Sequence, residues 1–328
     1  MFERIIVALD GSPSSETALP AARELARRLG SSLVLLHVIE ARPPKAVHGE
    51  RHLVSAAEAE AYLTPLVERL SSEGIAARAH VHDGGGNEAI GARGVAASVA
   101  RDRGDVASAV AAHEAEFGND LAVMAAHGRR GLADALSGSL PLKVAVSGGA
   151  AVLLVPRPAE GASGGGVPEA FAPLAAFAPR RIVLPLDGQP GHEAALPAAV
   201  ALAKAFGVGV RLIAAVPRSA AEAGGPGAVF ARLAPALSGA SLEYAAEGVA
   251  DYLEKVAGRL ASQGVAADTR VVRGKPAKAI VAACEEGDLL ALSTHRRLGL
   301  DASLDGCVAF GAAQRWRGPM LIVPIAKS

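Results

Sequence analysis

The stretch "AAHGRRGLADALSGS", residues 125 to 139, holds the residue types that grip phosphate. Gly128 and Gly138 lack a Cβ, so backbone at either position can approach an anion closely. Gly138 and Ser139 stand ahead of a run with helical period, and the unpaired N–H groups of a helix start favour negative charge. The Ser139 hydroxyl adds a donor, and Arg129 and Arg130 bring positive charge nearby. A glycine-rich connection from strand to helix has the same composition, so the stretch alone fits either an anion cradle or a plain loop. Asp10, in "ALDGSPSSE", lies just past a strand-like run and ahead of Ser12-Pro13, an N-cap followed by proline at the first helical position. A carboxylate there is a turn residue near a helix dipole or a ligand contact.

The elements that must position these residues occur twice. "RIIVALDGSPSSETALPAARELARRLG" (4 to 30) is answered by "RIVLPLDGQPGHEAALPAAVALAKAFG" (181 to 207), with Asp10 matching Asp187 at a spacing of 177. "LVERLSSEGIAARAHV" (66 to 81) matches "VAGRLASQGVAADTRV" (256 to 271), and "GDVASAVAAHE" (104 to 114) matches "GKPAKAIVAAC" (274 to 284). "NDLAVMAAHGRRG" matches "GDLLALSTHRRLG", and "AVLLVPR" (151 to 157) matches "MLIVPIA" (320 to 326). So long a period indicates a duplicated domain rather than a solenoid. The expected boundaries are 1–158 and 180–328, joined by a Gly/Ala/Pro-rich linker at 159–179. An insertion of about twenty residues, 84–103, interrupts the first copy.

Within the first copy, short apolar runs at 4–9, 33–39, 76–81, 120–125 and 151–155 read as strands. Between them lie helical stretches such as 14–29 and 56–72. Apolar strands without polar alternation belong to a parallel sheet covered on both faces. The expected architecture is α/β: two repeated, doubly wound parallel sheets. Ligands of such sheets sit beyond the carboxyl ends of strands where the order reverses, which places function in the loops after strands one and four.

Composition narrows the classes. Lys+Arg and Asp+Glu balance at 33 each, so no basic field draws the chain to nucleic acid or to a membrane. Aromatics are only 3% of residues, too few for a base-stacking platform. No apolar run reaches the roughly eighteen residues of a membrane span. The chain enters its first strand without a basic leader or cleavage site, and two cysteines make no disulfide framework. A cytoplasmic, reduced setting is expected.

Taken together, "IVALDGS", "LLHVIE" (35 to 40), "NDLAVMAAHGRRG", "SGSL" and "AVLLVPR" give the two halves a resemblance to a tandem universal stress protein. Nucleotide-binding members of that family carry Gly-x2-Gly-x9-Gly-Ser/Thr after strand four. The frame here reads Ala125-x2-Gly128-x9-Gly138-Ser139, so three of four positions fit. The resemblance implies a Rossmann-like domain of the adenine-nucleotide alpha-hydrolase type that binds ATP, or AMP or ADP, with Mg as the nucleotide's companion ion. It implies that Asp10 and Val38 meet adenine and ribose, and that Met124 and Ala125 line the wall beside them. Gly128, Gly138, Ser139 and Leu140 would contact the phosphates. Ala8 stands where such members often have proline, and Ala125 adds a methyl where backbone nears the ligand. It further implies an intramolecular pseudo-dimer through the fifth strands, with a homodimer and partner proteins as further associations. The role would be in stress response or signalling, with little or slow hydrolysis, since no base or metal cluster is evident.

The second copy offers Ser293, Arg296, Gly306 and Cys307 in the same frame. Arg296 would crowd a phosphate, and a cysteine donates poorly in the serine position. That copy is expected to be empty. If the first has decayed too, the chain is a nucleotide-free protein-interaction module; an enzyme that activates a substrate with ATP is a third alternative. The Gly84-x-Gly86 string lies in the insertion rather than after a first strand, which argues against a dinucleotide fingerprint. His48 and His52 are four apart, and His80 and His82 share a strand face near Asp83. Without a pattern of three or four converging ligands they read as solvated histidines rather than a zinc site. His127 and His295 match each other and are expected to hold the loop.

Overall fold

The apolar runs form parallel strands and the Ala/Leu-rich stretches form the helices that cover them. The structure is a computed structural model that describes residues 1–39, 46–47, 50–51, 53–83, 106–126, 140–156, 177–219, 222, 235–295 and 308–325. It divides into two compact units, Met1–Phe177 and Ala178–Ser328.

In the first unit, β1 (Arg4–Ala8), β2 (Ser32–Ile39), β5 (Ala77–Asp83), β6 (Leu121–Ala126) and β7 (Ala151–Pro156) form the order β7-β6-β1-β2-β5. Each pairs with its neighbour in parallel. Every residue of β6 and all but the first of β2 are buried, so these central strands show no polar alternation. A short antiparallel ladder, β3 (Ala46–Val47) with β4 (Glu50–Arg51), lies apart from the sheet's ladder.

The expected helix at 14–29 is two: α1 (Pro13–Glu16) and α2 (Leu19–Leu29). Pro20 explains the break. It has no N–H to offer the carbonyl of Glu16, and its ring would strike that carbonyl in a continuous helix. It is accommodated in the first turn of α2 instead. The helix then stops at Gly30, whose φ of 70° is the left-handed conformation that glycine adopts without strain. α3 (Ala56–Ser72), α4 (Val106–Phe117) and α5 (Leu140–Ser147) complete the unit among the described residues.

The second unit repeats the plan. β8 (Arg181–Pro185), β9 (Val210–Val216), β10 (Ala267–Arg273), β11 (Asp288–Thr294) and β12 (Met320–Pro324) form the order β10-β9-β8-β11-β12, again parallel. α6 (Leu196–Phe206), α7 (Pro235–Ser262), α8 (Pro276–Ala283) and α9 (Val308–Ala313) are its helices. One element differs. A 3₁₀ helix, Pro190–Ala195, stands where the first unit has α1. Its cap, Gln189, makes no side-chain cap bond, whereas Ser12 accepts one from Ser15 N–H. Among the described residues, no helix is long and apolar enough to cross a membrane.

Candidate functional site

The chain runs from β1 outward to β2 and β5, then returns to the other side of β1 to make β6 and β7. Connections leaving β1 and β6 therefore diverge, and their carboxyl ends flank the point where the order reverses. Asp10 lies two residues past β1, and Met124 and Ala125 lie in the last half of β6. Register places Ala8 beside Leu36 and Val7 beside Val123, so Ala8, Asp10, Val38, Met124 and Ala125 share the carboxyl end of three adjacent strands. Val38, Met124 and Ala125 are all buried; the register puts Val38 and Met124 on one face of the sheet and Ala125, next along β6, on the other.

The turn around Asp10 is tightly bonded. Its Oδ1 accepts from Ser12 N–H at 2.9 Å and from the Ser12 hydroxyl at 2.6 Å. Ser12 Oγ in turn accepts from Ser15 N–H at 3.1 Å, which caps α1. Asp10 N–H donates to Ser15 Oγ at 3.3 Å, and the Asp10 carbonyl accepts from Leu53 N–H at 3.3 Å. Gly11 permits the reversal with a φ of +83°. Beneath it, Tyr62 donates to Glu16 Oε1 at 2.9 Å, while Glu16 Oε2 is buried without a hydrogen-bond partner. Burial, opposed by the Tyr62 bond and assisted by the nearby Asp10 charge, holds the Glu16 carboxyl above its ordinary range. His37 is buried and its Nδ1 lies 2.7 Å from the Leu9 carbonyl, so that nitrogen carries the ring proton and the end of β1 is tied to β2.

Leu140 is the first residue of α5, half-buried at its start. Gly128, Gly138 and Ser139 lie outside the described residues, as do Arg129, Arg130 and His127. The structure thus places Ala8, Asp10, Val38, Met124 and Ala125 at the carboxyl end of the sheet, and of the expected phosphate contacts it describes Leu140 at the start of α5.

In the second unit the corresponding residues bond to one another. Asp187, the match of Asp10, accepts from Gln189 N–H at 3.1 Å, and its Oδ2 lies 2.7 Å from His192 Nδ1. His192 Nε2 lies 2.9 Å from His295 Nε2. Ser293, the match of Ala125, donates to the His192 carbonyl at 2.8 Å and accepts from Ala195 N–H at 3.0 Å. An Asp–His–His row therefore spans the ends of β8 and β11. His192 stands where the first copy has Ser15, a substitution visible in the repeat whose partner His295 is 103 residues away. Arg296, Gly306 and Cys307 lie outside the described residues. Cys284 is half-buried, and burial first, then the Asp288 charge, push its thiol up to about 12, which leaves it unreactive at neutral pH.

A family model described as "Universal stress protein family" matches residues 1–156 and 179–324. Among solved structures, a protein of unknown function from Pseudomonas aeruginosa PAO1 is 15% identical, with 99% of this chain and 93% of that chain covered and a TM-score of 0.63. A putative universal stress protein from Pseudomonas aeruginosa UCBPP-PA14 is 15% identical over 98% of this chain and 93% of that one, with a TM-score of 0.62. A universal stress protein from Archaeoglobus fulgidus DSM 4304 is 14% identical over 99% and 97%, also with a TM-score of 0.62. Identities this low speak for the fold alone. No curated protein matches the chain.

Proposed function

The chain belongs to the universal stress protein family, and from that premise we propose that its first unit binds ATP or a related adenine nucleotide while the second does not. The observation that carries the reading is the placement of Asp10. It follows β1 at the strand-order reversal, where the buried Val38 and Met124 share one face at the carboxyl end of the sheet. An apolar wall with a carboxylate at its edge suits an adenine ring and the hydroxyls of its ribose. From β6 the sequence leads through Gly128, Gly138 and Ser139 into α5 at Leu140, which supports backbone and hydroxyl contacts to phosphate. Mg would accompany the phosphates as their counter-ion. The residues of the first unit bind and orient; hydrolysis, if any, is slow. The protein acts in the cytoplasm as a stress-response or signalling module whose surface partners read the nucleotide state.

Ala125 is compatible with this reading. Its counterpart Ser293 directs its hydroxyl to His192 and Ala195, at the start of the helical segment after β8. By the repeat, the Ala125 methyl faces the start of α1 and α2. In the second unit Arg296 and Cys307 stand at the positions of Gly128 and Ser139, which supports a unit without nucleotide.

Native mass spectrometry of freshly purified protein separates the proposal from a nucleotide-free interaction module. An adduct with the mass of one adenine nucleotide per chain supports binding. Protein of bare mass that also takes up no ATP at millimolar concentration refutes it.

A further inference from the structure

Three histidines of the first unit meet on one face of its edge strand. His80 and His82, two apart on β5, point to the same side of the sheet. α4 brings His113 there, its ring centroid 4.7 Å from that of His80 and 4.8 Å from that of His82. His113 is 4% exposed, and its Nδ1 lies 2.6 Å from the Ala109 carbonyl. A carbonyl only accepts, so Nδ1 carries the proton and Nε2 of the neutral ring is a lone pair. That lone pair faces Nε2 of His80 at 2.9 Å. Glu116, three residues further along α4, places Oε2 4.0 Å from the same His113 nitrogen. Phe117 packs against His80 and His113, with the Arg78 guanidinium 4.5 Å above its ring.

The fold does not require this cluster. In the repeat, His80, His82 and His113 match Arg270, Val272 and Ala283, and the second unit builds the same strand and helix without them. An imidazole with one nitrogen tied to a backbone carbonyl and the other presented to a second imidazole is held as metal-ligating histidines are held.

We propose that His80, His82 and His113, together with Glu116, bind a divalent transition metal of the zinc class. Without metal, His80 donates its Nε2 proton to His113, and among the described residues no three donors yet enclose one point. The metal takes that proton's place. The His80 proton moves from Nε2 to Nδ1, so that both Nε2 lone pairs face the ion, and His82 and Glu116 turn in to complete a set of four. Three imidazoles and a carboxylate suit Zn²⁺, Co²⁺ and Ni²⁺. None of the four side chains belongs to the nucleotide site, so the two readings stand or fall separately.

The test uses the full chain, stripped with a chelator and free of nucleotide, titrated with Co²⁺ and then Zn²⁺. The expected result is one Co²⁺ per chain, with a visible absorption band that Zn²⁺ abolishes. His80→Gln and His82→Gln, both half-buried beneath α4, should each weaken binding by about tenfold or more with the circular dichroism spectrum unchanged. His192→Gln, in the other histidine pair, should leave the band intact. No Co²⁺ uptake at micromolar metal overturns the proposal. So does a band that survives His80→Gln and disappears in His192→Gln.

Discussion

Tyr62 donates to Glu16 Oε1 across 2.9 Å, and the repeat builds the bond again, from Tyr252 to Glu193 across 2.7 Å. In both units it ties the segment after the first strand to the long helix that follows the second. The copies differ at the other carboxylate oxygen. Arg259 donates to Glu193 Oε2 at 2.8 Å, while its counterpart Arg69 lies 3.8 Å from Glu73, leaving Glu16 Oε2 buried and unpartnered.

The two glutamates should therefore have opposite pH signatures. Burial first, opposed by the Tyr62 bond and reinforced by Asp10, raises Glu16 above its ordinary value of 4.5. Its contribution to stability is present below that value and is lost as pH rises through the higher, folded one. At Glu193 burial is outweighed by the Tyr252 bond and the Arg259 ion pair, and the carboxyl is lowered. Its contribution is present above 4.5 and is lost as pH falls through the folded value. Glu16→Gln should flatten the loss of first-unit stability on going from acid to neutral pH. Glu193→Gln should flatten the acid loss of the second unit. That unit has its own reporter, Trp316, the chain's single tryptophan, which is 8% exposed. Urea midpoints across pH 2 to 8, followed by circular dichroism and Trp316 fluorescence, supply the comparison. Parallel pH profiles for the two variants would contradict the opposite shifts.

Ser12 both caps α1 and holds the Asp10 carboxylate. Ser12→Ala should cost about 1–2 kcal/mol in the first unit's unfolding transition. It should also weaken nucleotide binding, because Asp10 loses the hydroxyl that orients it. Urea unfolding and a nucleotide titration of the same preparation measure both effects. A loss of stability with affinity intact would detach Asp10 from the site.

Gly11 and Gly188 are matched positions with φ of +83° in each unit, yet their surroundings differ. A Cβ on Gly11 would lie 2.5 Å from Leu53 Cγ, whereas a Cβ on Gly188 would meet nothing within 4 Å. Gly188→Ala should cost only the left-handed backbone strain, about 1 kcal/mol. Gly11→Ala should cost more, by about 1–3 kcal/mol, as Leu53 is driven from its packing. Thermal unfolding of the two variants decides the order, and equal losses would show that Leu53 yields freely.

Much of this was legible in the residues. The 177-residue spacing disclosed the repeat, the unalternated apolar runs disclosed a parallel sheet, and Ser12-Pro13 disclosed the start of α1. Asp10 could be assigned to the switch point because strand order in such sheets follows from right-handed crossovers. What escaped depends on tertiary neighbours. His80 and His82 were visible as a pair, but His113 lies thirty-three residues beyond His80. No local period marks it as their neighbour. His192 likewise reads as one substitution for Ser15 until folding sets it between Asp187 and His295. The division of 14–29 into two helices was written in Pro20, whose position forbids a continuous ladder.

The central claim is one nucleotide per chain, held in the first unit. Isothermal titration calorimetry with ATP on the wild type, Gly138→Val and Asp187→Ala tests it most directly. The expected outcome is a stoichiometry of one for the wild type and for Asp187→Ala, and loss of binding in Gly138→Val. No heat of binding in the wild type at millimolar ATP, or binding that survives Gly138→Val and is lost in Asp187→Ala, would contradict it.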